Sequence, residues 1–263
     1  MGALSDIKVL DLTRVLAGPY ATMILADLGA EIIKIEQPGK GDDSRAYGPH
    51  KNGESAYFMS LNRNKESVTL NMKTPEGKDI IKELVRKVDV LVENFRPGTM
   101  ERFGLGYDVL KELNPRLIYA ASTGYGQTGP YSQRPAYDAV VQAMGGIMSI
   151  TGQADGKPTR VGTSIGDIAA GMFTAIGILA ALHERERSGL GQMVDVAMLD
   201  CQVAILENAI ARYEFTGEIP CPIGNRHPSI VPFETFETMT DPIMVAAGND
   251  RLWATLCDLM DLD

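Results

Sequence analysis

The stretch that decides the fold is residues 7–36, IKVLDLTRVLAGPYATMILADLGAEIIKIE. Its first part, residues 7–13, is rich in β-branched and apolar residues and predicts a strand, and residues 14–19 predict a turn. Residues 20–28 predict a helix, which Gly29 ends, and residues 31–36 predict the next strand. A strand, a helix and a second strand of these lengths are typical of a parallel sheet with a crossover helix.

A second unit of the same kind follows in the sequence. Residues 67–73 predict a strand, and Thr74 with Pro75 predicts the start of a helix that runs to about residue 87. Further strands are predicted at 88–95 and 117–121, with a short helix at 107–113 between them. The fold class is therefore α/β, a Rossmann-like parallel sheet that helices cover on both faces.

Ligands of such sheets bind beyond the carboxyl ends of the strands. The loops predicted at those ends should therefore face one crevice, and they are residues 14–19, 37–45, 73–74, 94–98 and 123–130.

The last third of the chain changes character. A strand at 193–198 and a helix at about 199–215 precede four prolines, and two strands are then predicted at 234–238 and 243–247. We predict a large α/β domain over residues 1–200, a linker helix and connection over 201–222, and the start of a smaller α+β domain over 223–263. The final helix, 252–263, stops soon after it forms, so we expect a chain that has been cut short.

Charge and composition limit the partners. The formal net charge is −9 over 263 residues, which argues against nucleic acid or a membrane surface as a partner. The uncharged run at 168–182 is shorter than the ~20 residues that span a bilayer, so we expect a core helix. Three well-separated cysteines fit neither a disulfide framework nor a metal site, and favour a reducing, cytoplasmic location.

Asp167 is the strongest candidate for a reactive side chain. It lies in GTSIGDIAAG, residues 162–171, where a glycine turn becomes an apolar helix. Free amides at a helix N-terminus favour an anion, so the carboxylate would be well placed there. The alternative is that Asp167 is only the N-cap of the helix. With a reference pKa of about 3.9, it should be ionised at neutral pH.

Two common phosphate motifs are missing from the sequence, G-x-G-x-x-G after the first strand and the P-loop, which disfavours a dehydrogenase or an NTPase. Instead, the chain resembles the class III CoA-transferases, the family of formyl-CoA transferase and carnitine CoA-transferase. The residues that carry the resemblance are VLD at 9–11, AGP at 17–19, ADLGA at 26–30, KIE at 34–36, NK at 64–65, residues 70–77, VENFRPG at 92–98, GYG at 124–126, YD at 137–138, GD at 166–167, GLGQ at 189–192 and GN at 224–225.

The resemblance implies that Asp167 is the nucleophile of an acyl-CoA:carboxylate CoA-transferase, which works through a covalent aspartyl-CoA thioester. Acyl-CoA and a small carboxylic acid would be the substrates, with no permanently bound cofactor and no metal. The family also implies an interlocked homodimer. Tyr137 and Asp138 match residues near the thioester.

The CoA-binding residues are likewise implied by position. Val15, Leu16 and Ala17 would line the pantetheine arm, and the nucleotide end would be held by Leu70, Lys73, Asn94, Phe95, Arg96 and Arg102. Gln37 falls where formyl-CoA transferase has a basic residue. The glycine-rich loop of that enzyme is not recognisable between residues 221 and 233, so formate or oxalate specificity does not follow.

Two alternatives stay open. The first is an epimerase like the related α-methylacyl-CoA racemases, which the chain also resembles. Those enzymes place a histidine near position 137 as a base, whereas Tyr137, with a reference pKa of about 10, is a poor base at neutral pH. The other alternative is an incomplete CoA-binding subunit without turnover. The sequence does not specify the donor and acceptor acids.

Overall fold

A computed structural model describes residues 2–262 of the chain. These residues form two compact units. The first unit runs to Gly145 and resumes at Thr163–Ile205; the second consists of Gly146–Gly162 and the residues from Leu206 onward. The domain boundaries at residues 200 and 222 stay predictions.

A six-stranded parallel sheet forms the centre of the first unit, in the order β5-β2-β1-β6-β7-β8. The predicted fold class is thereby confirmed. The strands are β1 (Lys8–Asp11), β2 (Glu31–Glu36), β5 (Lys65–Thr69), β6 (Val90–Glu93), β7 (Ile118–Thr123) and β8 (Met193–Ala197). A small separate hairpin is made by β3 (His50–Lys51) and β4 (Glu54–Ser55).

Helices cover both faces of this sheet. The helices of the first unit are α1 (Ala17–Asp27), α2 (Ala56–Asn62), α3 (Pro75–Val85), α4 (Thr99–Phe103), α5 (Tyr107–Leu113), α6 (Asp138–Met144), α7 (Ile165–Ser188) and α8 (Met198–Ala204), with a 3-10 turn at Asp43–Ala46. The second unit contains a 3-10 turn (Ile147–Ile150), α9 (Ala209–Thr216), the antiparallel pair β9 (Phe233–Phe236) and β10 (Ile243–Ala246), and α10 (Asp250–Leu259).

Alternation along the strands builds a separate apolar core on each face. Val9, Val90 and Val92 point to the face where α1 and α7 pack. Leu10 and Leu91 point to the opposite face, where α3, α4 and α5 contribute Ile81, Met100 and Leu110 among others. Every one of these side chains is almost completely buried, so the sheet is a rigid platform for the loops at its ends.

The helix α7 is the central element of the first core. Its 24 residues are long and apolar enough to cross a membrane by length and composition. In the fold it packs against α1 and the sheet, as expected of a core helix. The contact with α1 is close at Gly171, where a Cβ atom would lie 2.8 Å from the carbonyl oxygen of Ala17.

The strand order creates a crevice between β1 and β6. From β1 the chain moves outward through β2 to β5, and then returns to the other side of β1 as β6. The connections that follow β1 and β6 therefore leave in opposite directions, and this is the position where open parallel sheets bind ligands.

Some sequence predictions are wrong in detail. Residues 199–215 form two helices, α8 and α9, because Glu207 takes a left-handed backbone conformation (φ +54°) between them. The predicted strand at 67–73 is shifted: β5 begins at Lys65 and ends at Thr69, which leaves residues 70–74 as a loop. The hairpin and α2, between residues 50 and 62, were not predicted.

Candidate functional site

Two neighbouring cavities open at the carboxyl ends of the strands, within the first unit. The smaller, of about 290 Å³, contains Asp167 and is called here the Asp167 cavity. The larger, of about 480 Å³, contains Lys73 and is called the Lys73 cavity. Arg14, Asp43 and Phe95 line both. Residues from all five predicted strand-end loops line these two cavities.

Asp167 is the third residue of α7, which begins at Ile165 after Ser164 as its N-cap. The N-cap alternative for Asp167 is therefore wrong. Ser164 makes no side-chain capping bond, so Asp167 lies in a first turn whose amides are not capped in the usual way. Its carboxyl group is half-buried in the wall of the cavity.

Asp138 lies at the start of α6 and is tied to the start of α7. Its Oδ1 accepts a hydrogen bond of 2.8 Å from the amide of Gly166, and its Oδ2 accepts one of 2.8 Å from Nε2 of the buried Gln142. Asp138 thus fixes the turn from which Asp167 projects. Tyr137, the preceding residue, is 77% exposed and lines the same cavity.

The surroundings of Asp167 oppose its ionisation. Burial, and then the negative charge of Asp138, raise the pKa of Asp167 to about 7. The expectation from the reference pKa, that this carboxyl is fully ionised at neutral pH, is therefore wrong. A carboxyl with a pKa near 7 in a cavity is typical of a functional site.

The loop after β1 forms another wall of the Asp167 cavity. It is lined by Val15, Leu16 and Ala17, the residues predicted to contact the pantetheine arm. Leu16 and Ala17 are buried, and α1 starts at Ala17 with no side-chain cap on Leu16. Two helix starts whose N-cap residues make no side-chain cap, those of α1 and α7, therefore contribute to one cavity.

The remaining predicted residues are divided between the cavities. Asn94 and Arg96 line the Asp167 cavity; Gln37, Leu70 and Lys73 line the Lys73 cavity; Phe95 lines both. Arg102 lines neither. Its guanidinium donates to Oγ1 of Thr99, 2.9 Å away, and Thr99 lines the Lys73 cavity.

Sequence reasoning missed several lining residues. Arg14 and Asp43 border both cavities and form an ion pair of 3.1 Å, while Tyr47 and Arg134 line the Asp167 cavity. Arg14 lies in a loop already predicted to face the crevice, so its position was a usable signal. Tyr47 follows the unpredicted 3-10 turn, and no pattern in the sequence marked it.

No group of three or more histidine, cysteine or acidic side chains able to hold a metal ion occurs in residues 2–262. The site offers instead a half-buried carboxyl, the N-termini of two helices and several arginines. Such a set can bind an extended anionic ligand and place a carboxylate against an electrophilic carbon.

Comparison with known proteins agrees with this chemistry. The family described as "CoA-transferase family III" matches residues 4–263. The chain is 52% identical over 260 residues to acetyl-CoA:oxalate CoA-transferase of Acetobacter aceti, covering 98% of this chain and 67% of that protein. It is 48% identical over 260 residues to the human succinyl-CoA:glutarate CoA-transferase, covering 98% of this chain and 59% of that protein.

A solved structure is similar over almost the whole chain. The crystal structure of a CAIB/BAIF family protein from Brucella suis has 41% sequence identity and a TM-score of 0.90, covering 99% of this chain and 70% of that one. The chain thus spans roughly three fifths to seven tenths of the length of these relatives.

Proposed function

The chain belongs to CoA-transferase family III, and from that membership we propose that it transfers coenzyme A from an acyl-CoA to a small carboxylic acid through a covalent thioester on Asp167. The observation that carries the proposal is the position of Asp167, a half-buried carboxyl in a cavity that shares its border with a second, larger one. An acyl-CoA is long and has an anionic nucleotide end, which two connected sites would suit.

The bound acyl-CoA would extend across both cavities. Its nucleotide end would lie in the Lys73 cavity, where Lys73 and Arg14 supply positive charge. The pantetheine arm would pass Phe95 and the Val15–Leu16–Ala17 wall to bring the thioester to Asp167. Arg102 would act at most on the rim, since it lines neither cavity.

The reaction then needs four exchanges at Asp167, two with the donor and two with the acceptor. Its carboxylate attacks the thioester carbonyl, the C–S bond breaks, and a mixed anhydride and the CoA thiolate form. The thiolate attacks the aspartyl carbonyl of the anhydride and releases the first acid as a carboxylate, leaving an aspartyl-CoA thioester. The acceptor carboxylate repeats these steps in reverse, so that Asp167 is regenerated and no net proton is consumed.

Each exchange passes through a tetrahedral oxyanion. Backbone amides at the starts of α1 and α7, other than the Gly166 amide that already donates to Asp138, are the candidate donors for that charge. The acceptor acid is itself an anion, and Arg14, Arg96 and Arg134 line the cavity that it would enter. We therefore propose a small carboxylic acid as acceptor, as the names of the relatives also suggest.

The racemase alternative has less support. Epimerisation at Cα needs a base on each side of the carbon, and none of the residues that line the Asp167 cavity is a histidine that could act opposite Asp167. Tyr137 stands where the racemases have one. We also propose the homodimer and the cytoplasmic location expected from the sequence. Sedimentation velocity of the purified protein would test whether it is a dimer.

The test is to incubate the protein with several acyl-CoAs and measure its intact mass, followed by peptide mapping. We expect an adduct on Asp167 that disappears on adding the acceptor acid. Asp167→Ala should abolish the adduct and lower transfer by about 10⁴-fold or more, because the nucleophile is lost. Asp108→Asn, a change on the exposed side of α5 where Asp108 pairs with Lys111, serves as the control and should keep both.

The other functions predict different results. Full transfer activity in Asp167→Ala would refute the proposal. Solvent deuterium at Cα of a branched acyl-CoA, without an adduct, would indicate the epimerase. CoA binding with neither adduct nor transfer, over a panel of acids, would indicate a binding subunit.

A further inference from the structure

The segment Thr13 to Val15, which separates the two cavities, is held by side chains from other parts of the fold. The amide of Thr13 donates to Asp11, and its carbonyl accepts from Nζ of Lys34 at 2.7 Å. Arg14 is paired through both backbone groups with the side-chain amide of Asn94, at 3.0 and 2.8 Å. The amide of Val15 donates to Oδ1 of Asp42 at 3.1 Å.

Val15 is strained in this arrangement. Its φ is +70°, in the left-handed region that a β-branched residue rarely adopts. Such a conformation persists only where the surroundings enforce it. Because the side chain of Val15 lines the Asp167 cavity, its backbone conformation determines the shape of that wall.

Asp42 is itself held firmly enough to enforce the left-handed conformation of Val15. The residue is 4% exposed, and Oδ1 also accepts from the amide and the hydroxyl of Ser44 at 2.9 and 2.7 Å. Its Oδ2 lies 2.9 Å from Nζ of Lys34, whose side chain is only 1% exposed. Lys34 and Asp42 together therefore brace the segment at Thr13 and at Val15.

We propose that Asp42 is a positioning residue for the reaction at Asp167: its carboxylate holds Val15 in the left-handed conformation and so fixes the wall against which the thioester lies. This inference rests on the proposed function. Asp42 lines the Lys73 cavity and does not line the Asp167 cavity, so it acts on the reaction through Val15.

Glycine provides the means to test this, since it adopts positive φ without strain. If Asp42 acts by enforcing the conformation of Val15, its loss should matter much less once residue 15 is free to adopt that conformation unaided. The experiment is a double-mutant cycle of Asp42→Ala and Val15→Gly, read as the rate of adduct formation on Asp167 and as the Kd of CoA.

In the otherwise native protein, we expect Asp42→Ala to lower the rate of adduct formation by about ten- to a hundredfold, with a change in the Kd of CoA of less than about threefold. In the Val15→Gly background the same change should lower the rate by less than about threefold. Equal losses in both backgrounds would overturn the proposal, since Asp42 would then act only by neutralising Lys34.

Asp89→Ala is the matched control. Asp89 pairs with the buried Arg185 at 3.0 Å, before β6 and hence at the opposite edge of the sheet. Asp89→Ala should lower the free energy of unfolding by the same amount in the native and in the Val15→Gly background. If Asp42→Ala does not fold, Asp42→Ser replaces it, because a serine side chain is too short to reach the amide of Val15.

Failure of the proposed function is recognised separately. If the unaltered protein forms no adduct, the transferase proposal fails, but the cycle is still read from unfolding free energies. Coupling between positions 15 and 42 would then persist as a smaller loss of stability for Asp42→Ala in the Val15→Gly background. Absence of coupling in the unfolding free energies would then refute the role of Asp42.

Discussion

At the scale of single residues, Asp167 carries a carboxyl group whose neighbours resist its charge. Burial and Asp138 raise its pKa to about 7. Only the carboxylate attacks a thioester, so the rate of adduct formation should rise with pH and level off above about 7. Below that value the protonated acid accumulates and the reaction slows.

Asp138→Asn should move this profile to lower pH. The change removes the negative charge that disfavours ionisation of Asp167, while the amide oxygen of asparagine can still accept from Gly166. We expect the apparent pKa of adduct formation to fall, measured by rapid quench and mass spectrometry at a series of pH values. Asp43→Asn, at another acidic residue of the same cavity, should leave the apparent pKa in place. An unshifted profile in Asp138→Asn would contradict the charge effect.

The sequence singled out Asp167 but did not predict that its pKa is raised. Asp167 stood out because a glycine turn and an uncharged helix surround it. Its pKa is raised first by burial and then by Asp138, which is distant in sequence and reaches the first turn of α7 only in the folded protein. Tyr47 was missed for a similar reason: no local pattern places it in the cavity.

At the scale of elements, the contact between α1 and α7 sets where the two helix starts meet the cavity. Gly171→Ala should disrupt it, because the new Cβ would lie 2.8 Å from the backbone oxygen of Ala17 and 3.0 Å from the ring of Tyr20. The clash should outweigh the gain in helix propensity of about 1 kcal/mol and lower stability by roughly 1–3 kcal/mol. Ala17 would move with it, so adduct formation should slow as well.

Gly177→Ala is the comparison on the same helix. Its Cβ would lie 2.7 Å from a methyl group of Val194, a side chain, which can give way more easily than a backbone oxygen. Chemical denaturation should therefore show a smaller loss for Gly177→Ala than for Gly171→Ala. The opposite order would show that the α1–α7 contact is not tightly constrained.

Elements with strong local signals were predictable. The strand at 31–36 and the helix at 107–113 have the predicted bounds, because their patterns end at glycine or turn residues. The break between α8 and α9 was not predictable, since Glu207 adopts positive φ with no glycine or proline beside it.

At the scale of the whole molecule, a buried acid makes stability depend on pH. Glu93 is 4% exposed, and burial raises its pKa to about 8. The unfolded chain releases this proton near pH 4.5, whereas the folded protein keeps it until about pH 8. The unfolded state therefore binds fewer protons between these values, and Glu93 lowers stability as the pH rises through that window.

Glu93→Gln should remove this dependence. Glutamine is neutral and of the same shape, and its side-chain oxygen can accept from the amide of Phe95 as Glu93 does at 2.7 Å. We expect the variant to be more stable than the unaltered protein above about pH 6, by a few kcal/mol near pH 8, on the order of the pKa shift. Urea denaturation between pH 5 and pH 9 measures it.

Glu112→Gln, at an exposed position of α5, should keep the original pH slope. Stability profiles that run parallel for Glu93→Gln and the unaltered protein would mean that Glu93 is ionised in the folded state.

The position of β1 also determines when the site can exist. β1 lies in the middle of the sheet between β2, made soon after it, and β6, made much later; α1 packs on all three strands and is in turn covered by α7, which comes later still. On the ribosome, the early part of the nascent chain therefore leaves the apolar surface of α1 that meets α7 uncovered until α7 has emerged. The residues that line the Asp167 cavity come from both segments of the first unit, so neither segment alone can form the cavity, and a stalled translation product would present this apolar surface to chaperones.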